Sequence, residues 1–318
     1  KVSFRVSTLP TYYGEKTVMR LLRESVSGFT LESLGFHGDD LERIHGGLKQ
    51  TTGMILATGP TGSGKTTTLY TILDILNTPD VNISTIEDPI EYQMTRVNQT
   101  QVKPEIGLTF ANGLRSLVRQ DPDIIMVGEI RDKETVGLAI NAALTGHLVL
   151  STLHTNSAAG AMPRLIDMGA EPFLLVSTIN VIIAQRLIRR LSSNKEKYIL
   201  SESERKVLEK SVNLAKVLET LKAEKIVGAE DNWENIPFYR PKKGAGLPGA
   251  PTPAAQAGGE DGYSGRIGIH EILTMSRPIK ELIMKGGTSD EIEAQARKEG
   301  MLTMIEDGIF KAAQGITS

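Results

Sequence analysis

With 318 residues, 40% of them hydrophobic and 23% charged, the chain is long enough for about two globular domains and can bury a full core. Its 36 basic and 38 acidic residues leave a net charge of −2, which gives no sign of a nucleic-acid partner. The absence of cysteine excludes disulfides and any cysteine-ligated metal.

Val2, Phe4 and Val6 alternate as in a strand, the chain turns at Pro10, and Val18 to Leu22 continues what reads as the tail of a small domain, over residues 1–28. Lys1 follows no basic-then-apolar leader, so no signal peptide is expected and the chain reads as a fragment of something longer. Residues 29–50 read as a linker and a helix, broken at Gly35, Gly38 and Asp39-Asp40, with Leu41, Ile44 and Leu48 on one face. His37 and His45 are expected on surfaces. From 51 to 188 short apolar strands, at 54–58, 83–86, 124–127 and 148–152, alternate with helical stretches. That alternation predicts an α/β domain with a mostly parallel sheet, its ligand beyond the carboxyl ends of the strands. The most apolar stretch, 173–184, carries Ser177, Thr178 and Asn180 and falls short of the ~20 apolar residues of a membrane span. It reads as a buried helix.

Directly after the first of these strands comes Gly59-Pro60-Thr61-Gly62-Ser63-Gly64-Lys65-Thr66, then Thr67 and a helix. Glycines let backbone N–H groups close around nucleotide phosphates, Lys65 adds a point charge, Thr66 offers a hydroxyl to Mg²⁺, and the helix points its positive end at the anion. The second strand ends in three carboxylates, Glu87, Asp88 and Glu91, one of which could orient and deprotonate a water attacking a γ-phosphate; a solvated Asp-Pro turn is the plain alternative. The third ends in Gly128-Glu129, an acid placed where phosphate-loop enzymes hold Mg²⁺ or its waters. His147 and His154 bracket the fourth strand, and either could touch the γ-phosphate or be structural. Arg115 and Arg119 share one helical face and Arg5 and Arg20 lie in the N-terminal remnant. An arginine arriving from another domain or subunit stabilises charge on the transferred phosphoryl group, whereas surface ion pairing is the ordinary role of such residues.

The four boxes GPTGSGKT (59–66), IEDPIEY (86–92), IIMVGEIRD (124–132) and TGHLVLSTLHTN (145–156) stand in the order Walker A, aspartate box, Walker B and histidine box. The set resembles the secretion-type hexameric ATPases, specifically the assembly motors of type IV pili and type II secretion. So do the opening residues 5–10 and the run Gly265-Arg266-Ile267-Gly268-Ile269-His270-Glu271-Ile272-Leu273. The resemblance implies a RecA-like P-loop ATPase core over 51–188, preceded by the end of a second N-terminal domain. A mostly helical C-terminal domain would follow over 189–318. It implies ATP and Mg²⁺ as ligands, Glu91 as the base, Thr66 and Glu129 toward the metal, and His154 with His147 near the γ-phosphate. Arg5, Arg20, Arg115 and Arg119 match arginines that reach the nucleotide, some across a boundary. It further implies a cytoplasmic homo-hexamer at the inner membrane, acting on a platform protein and accessory proteins of a pilus or secretion machine, with no direct nucleic acid. Residues 266–271 resemble the assembly branch more than the retraction branch. A type IV secretion or DNA-uptake translocation ATPase and a nucleotide-gated scaffold remain the alternatives.

The family's four-cysteine zinc site has no counterpart, since its places read Ser192-Ser193-Asn194 and Gly258-Gly259-Glu260-Asp261. In its stead 201–227 is expected as a helix, opened by Ser201 and Glu204 at capping-box spacing, with Val207, Leu214, Leu218 and Leu221 on one face. It either packs on the domain or binds a partner. The Pro-, Gly- and Ala-rich run 241–262 reads as a mobile loop. Helices are expected from Ser289 and over 301–313.

Overall fold

A computed structural model describes residues 3–22, 28–242 and 262–318, with only the backbone described at Ser3, Arg5, Arg20, Leu21 and Leu22. The mobile loop expected over 241–262 falls almost wholly outside the described residues. Eleven strands are present among those residues: β1 (Ser3–Thr11), β2 (Gly14–Leu22), β3 (Gly53–Thr58), β4 (Ile83–Glu87), β5 (Val97–Gln101), β6 (Ile124–Val127), β7 (Leu148–Leu153), β8 (Ile179–Leu191), β9 (Lys195–Ile199), β10 (Pro237–Pro241) and β11 (Tyr263–Thr274). β1 and β2 form an antiparallel hairpin in which Arg5 and Arg20 are register partners. β9 and β10 form a second one.

The central sheet runs β11-β8-β3-β7-β6-β4-β5, parallel throughout except for the edge strand β11. All six residues of β3 are buried, as they must be in a strand covered on both faces. Successive side chains of β3 point to opposite faces. Met54 and Leu56 therefore join one core, under the helices Phe110–Leu117, Lys133–Leu144 and Pro172–Thr178. Ile55 and Ala57 join the other, under the helices Gly38–Leu48 and Lys65–Leu76. Each fully buried Ile or Leu in these layers contributes about 1.5–3 kcal/mol. The four strands read from apolar runs are thus all present, extended by a residue at most at either end.

Three expectations are corrected. Residues 173–184 are not one helix: the helix Pro172–Thr178 stops and β8 starts at Ile179. Ile179, Val181, Ile182 and Ile183 pair with β3, and three β-branched residues in a row fit a pleated, two-sided burial better than a helix. The 188/189 boundary therefore falls inside β8, which with β11 carries the core sheet into the C-terminal segment. Second, 201–227 is two helices, Glu202–Glu209 and Leu214–Ala223. The Ser201/Glu204 capping box forms as read, but Asn213 caps a new start by accepting from the Lys216 N–H, and Val207 lies 64% exposed, outside the apolar stripe. Leu214 and Leu221 pack with Phe238 and Phe310 in a third apolar cluster. Third, His37 is half-buried, stacked on Phe310 at 3.9 Å, with Nδ1 2.7 Å from Glu224 Oε1 and Nε2 2.9 Å from Asp307 Oδ1. His45 is exposed, as expected. Among the described residues no helix is long and apolar enough to cross a membrane.

Candidate functional site

The carboxyl ends of β3, β4, β6 and β7 open on one cleft of about 750 Å³. The loop after β3 forms its floor, and here three observations concern phosphate. Gly59 has φ 147°, and a Cβ on it would stand 2.5 Å from the Gln185 carbonyl oxygen and 2.7 Å from Ser63 Oγ, so only glycine fits. Ser63 Oγ is buried with no hydrogen-bond partner among the described residues. Lys65, 8% exposed, donates only to carbonyls of its own loop, Gly59 O at 2.7 Å and Pro60 O at 3.1 Å. Burial holds the Lys65 ammonium below its usual range, against the pull of Glu129. A hydroxyl without a partner and an ammonium that meets only carbonyls of its own loop, at the start of the helix Lys65–Leu76, suit a polyphosphate. Thr61, Gly62, Gly64, Thr66 and Thr67 line the same cleft.

Strand β8 holds this loop from behind. Gln185, 2% exposed, donates from Nε2 to the Ser63 carbonyl at 2.8 Å and accepts from the Thr68 hydroxyl at 2.8 Å. Sequence reasoning missed this role, because an amide inside an apolar strand carries no local motif.

Across the cleft lies Glu129, its side chain 13% exposed, with Oε2 2.5 Å from Arg131 Nε and 3.3 Å from His154 Nε2. The turn bearing it is fixed by Thr152, whose hydroxyl donates to the Gly128 carbonyl at 2.7 Å, and by the Ile130 N–H on the Thr152 carbonyl at 3.0 Å. The loop bearing His154 is held by Glu271, which accepts from the Ala158 N–H at 2.7 Å; burial pushes that carboxyl up to about 7. The three acids after β4 part company. Glu87 is buried, its oxygens accepting from the Thr85 hydroxyl at 2.6 Å, from Gln99 Nε2 at 3.1 Å and from the Tyr70 hydroxyl. Burial pushes its pKa above the usual range in spite of these donors. All three line the cleft, Asp88 exposed and Glu91 half-buried, and neither of these two side chains makes a hydrogen bond among the described residues.

The expected pair of histidines is not a pair. His154 lies at the cleft, but His147 precedes β7 at the opposite end of the sheet, where its carbonyl accepts from the Gly53 N–H and its Nδ1 donates to the Ala142 carbonyl at 2.9 Å. The six residues of β7 lie between them, seven steps of about 3.3 Å that amount to about 23 Å. Arg115 is exposed, paired with Glu134, and Arg119 is exposed; neither lines the cleft. The side chains of Arg5 and Arg20 lie outside the described residues. Arg131 and Arg266 do line it, unsuspected from sequence; Arg131 stands two residues after Glu129 and was legible there.

A model of the family described as "Type II/IV secretion system protein" matches residues 1–318. The chain is 50% identical over 319 residues to "Type II secretion system protein E" of Xanthomonas campestris pv. campestris and 46% identical over 317 residues to "Type IV pilus assembly ATPase PilB" of Pseudomonas aeruginosa. Both alignments take in 100% of this chain and 51% of the relative. It thus spans about half the length of these curated relatives. Among solved structures, the pilus retraction motor PilT with bound ADP matches at TM-score 0.59 and 26% identity, over 96% of this chain and 73% of that one.

Proposed function

The chain belongs to the type II/IV secretion system protein family, and from that premise we propose that it is the ATP-hydrolysing part of a motor that drives assembly of a type IV pilus or a type II secretion pseudopilus. One observation carries this reading: a phosphate loop bearing Lys65 and a buried Ser63 hydroxyl with no partner among the described residues shares a single cleft with the acids Glu91 and Glu129. Lys65 and the loop N–H groups bind and orient the β- and γ-phosphates. Glu91 takes the proton of the attacking water, and His154, beside Glu129, lies where it can sense the γ-phosphate. Thr66 and Glu129 would hold Mg²⁺, which when bound neutralises charge building on the phosphoryl oxygens. Arg131 and Arg266 add positive charge from this chain, while Arg5, Arg20, Arg115 and Arg119 are assigned to the nucleotide of a neighbouring domain or subunit in a homo-hexamer. His147, at the opposite end of the sheet, is assigned no part in hydrolysis within its own chain.

The work would be delivered at the cytoplasmic face of the inner membrane, to a platform protein and accessory proteins. A nucleotide-gated scaffold would have no need of two acids at the cleft, which counts against it. The test is phosphate release per subunit as a function of protein concentration, with Glu129→Gln as the blank. A rate that climbs with concentration and disappears in the variant supports sites completed between subunits; a wild-type rate equal to the blank at every concentration refutes hydrolysis.

A further inference from the structure

Tyr70 stands five residues after Lys65, about one and a half turns along the same helix, and is 1% exposed. A phenol so deep needs partners for its hydroxyl. It donates to Glu87 Oε2. Glu87 is clamped from two further sides, by Thr85 of its own strand and by Gln99 of β5. Gln99 also donates to the Tyr92 carbonyl at 3.1 Å and accepts from the Met94 N–H at 2.8 Å, while the Tyr92 ring meets Tyr70 edge-on at 4.3 Å. The loop that carries Glu91 therefore hangs on two side chains rooted elsewhere, one of them on the helix that begins at the phosphate loop.

We infer that Tyr70 is a positioning residue for the base: its hydroxyl holds Glu87 and its ring meets Tyr92, the two ends of the segment that carries Glu91, and so refers that segment to the helix bearing Lys65 and Thr66 and keeps the water-activating carboxylate and the phosphate-binding groups in one geometry. A base displaced by an ångström loses much of its effect, which gives such a tie kinetic weight beyond its own strength. Glu87 is the second member of the arrangement, orienting the phenol rather than touching the reacting atoms. The inference rests on the ATPase reading above and adds to it a residue that touches neither phosphate nor water.

The experiment is Tyr70→Phe in the whole chain, a change that keeps the ring and its packing. Three readings follow. Hydrogen exchange at the amides of 88–92 should speed up by about tenfold or more, as one buried hydrogen bond is lost. The kcat for ATP should fall by about tenfold with KM within about twofold, the mark of an interaction used in the transition state alone. In a Glu91→Gln background the same change should cost nothing further, because Tyr70 acts through Glu91. Glu87→Gln, which leaves the phenol an oxygen to donate to, should show the same pattern more weakly, and serves if Tyr70→Phe fails to fold. Unchanged exchange at 88–92, a raised KM at unaltered kcat, or losses that multiply in the double variant would overturn the inference. A wild-type rate no higher than that of Glu129→Gln would instead sink the ATPase reading, and the role assigned to Tyr70 with it.

Discussion

Asp307→Asn removes the charge at the centre of a buried ionic group. Asp307 is fully buried on the helix Met304–Ala313; its Oδ2 lies 2.5 Å from Lys311 Nζ and accepts from the His270 N–H at 2.7 Å, and its Oδ1 is 2.9 Å from His37 Nε2. Lys311 is 2% exposed, and its other contacts, the Gly268 carbonyl at 2.8 Å and His270 Nδ1 at 3.5 Å, carry no negative charge. Breaking a buried pair from one side costs about 3–5 kcal/mol, because the surviving charge stays desolvated. Asparagine can still accept from His270, so the low end, about 3 kcal/mol, is the expected loss. Set against a domain stability of about 5–15 kcal/mol, that is a large fraction. Urea unfolding followed by Trp233, the single tryptophan, which packs against the cluster containing Phe310, reads this region directly.

The effect has a defined pH dependence. Burial alone would lower the His37 pKa, but hydrogen bonds and charge from Asp307 and Glu224 outweigh it and the net shift is upward. The stability this provides is complete below the ordinary histidine value of 6.5 and is lost as pH rises through the folded value. Asp307 titrates below its ordinary 3.8 because Lys311 and His37 outweigh its burial, so its share is present above 3.8 and lost as pH falls through the folded value. The penalty of Asp307→Asn should therefore be greatest between these limits, and Asp307→Asn/Lys311→Met should recover most of it. A loss under about 1 kcal/mol at pH 6, or a double variant no more stable than the single, would refute the account.

Asp40 is buried, and desolvation pushes its carboxyl up to about 7, so stability should decline as pH rises from 3.8 to about 7. Asp40→Asn should flatten that decline and raise the melting temperature above pH 7, and parallel wild-type and variant melting curves between pH 5 and pH 8 would contradict it. Ser63→Ala should leave unfolding without nucleotide within about 1 kcal/mol of wild type, since the hydroxyl has no partner to lose, yet weaken ATP binding by about fivefold in a fluorescent-nucleotide titration; unaltered affinity would contradict it. Gln185→Leu strands the Ser63 carbonyl and the Thr68 hydroxyl in the interior and should cost about 2–3 kcal/mol by urea titration together with nucleotide affinity, a variant of wild-type stability being the contrary result.

The strands that were legible in the sequence are those whose whole length is apolar and whose ends carry chemistry: β3, β4, β6 and β7 announce both the fold and the cleft. Residues 179–184 are as apolar, but run length alone cannot separate helix from strand, and what decides is pairing with a β3 more than a hundred residues earlier. The phosphate loop could be read because its function lies in consecutive residues. The ionic group joins His37, Glu224, His270 and Asp307 over separations of up to 270 residues, so no window contained it and His37 passed for a surface residue. His147 was drawn to the cleft by its box, although a strand runs the length of the sheet and only one of its ends can face a given ligand.

The register of the last two strands ties these separate features together. β11 pairs with β8 so that His270 stands directly opposite Gln185. Directly opposed residues of an antiparallel pair project to the same face, hence the residue that grips the phosphate loop and the residue that Asp307 holds by its N–H are cross-strand neighbours. A slip of β11 by one residue would turn Ile269 and Glu271 to that face and expel His270, losing the Phe36 stack at 3.7 Å and the Glu271 hold on the loop after His154 at the same time. The ionic group under the helix Met304–Ala313 thus fixes a register rather than merely adding stability. Through that register the C-terminal helices and both walls of the cleft, the phosphate loop held from β8 and the His154 loop held from β11, are referred to one pair of strands.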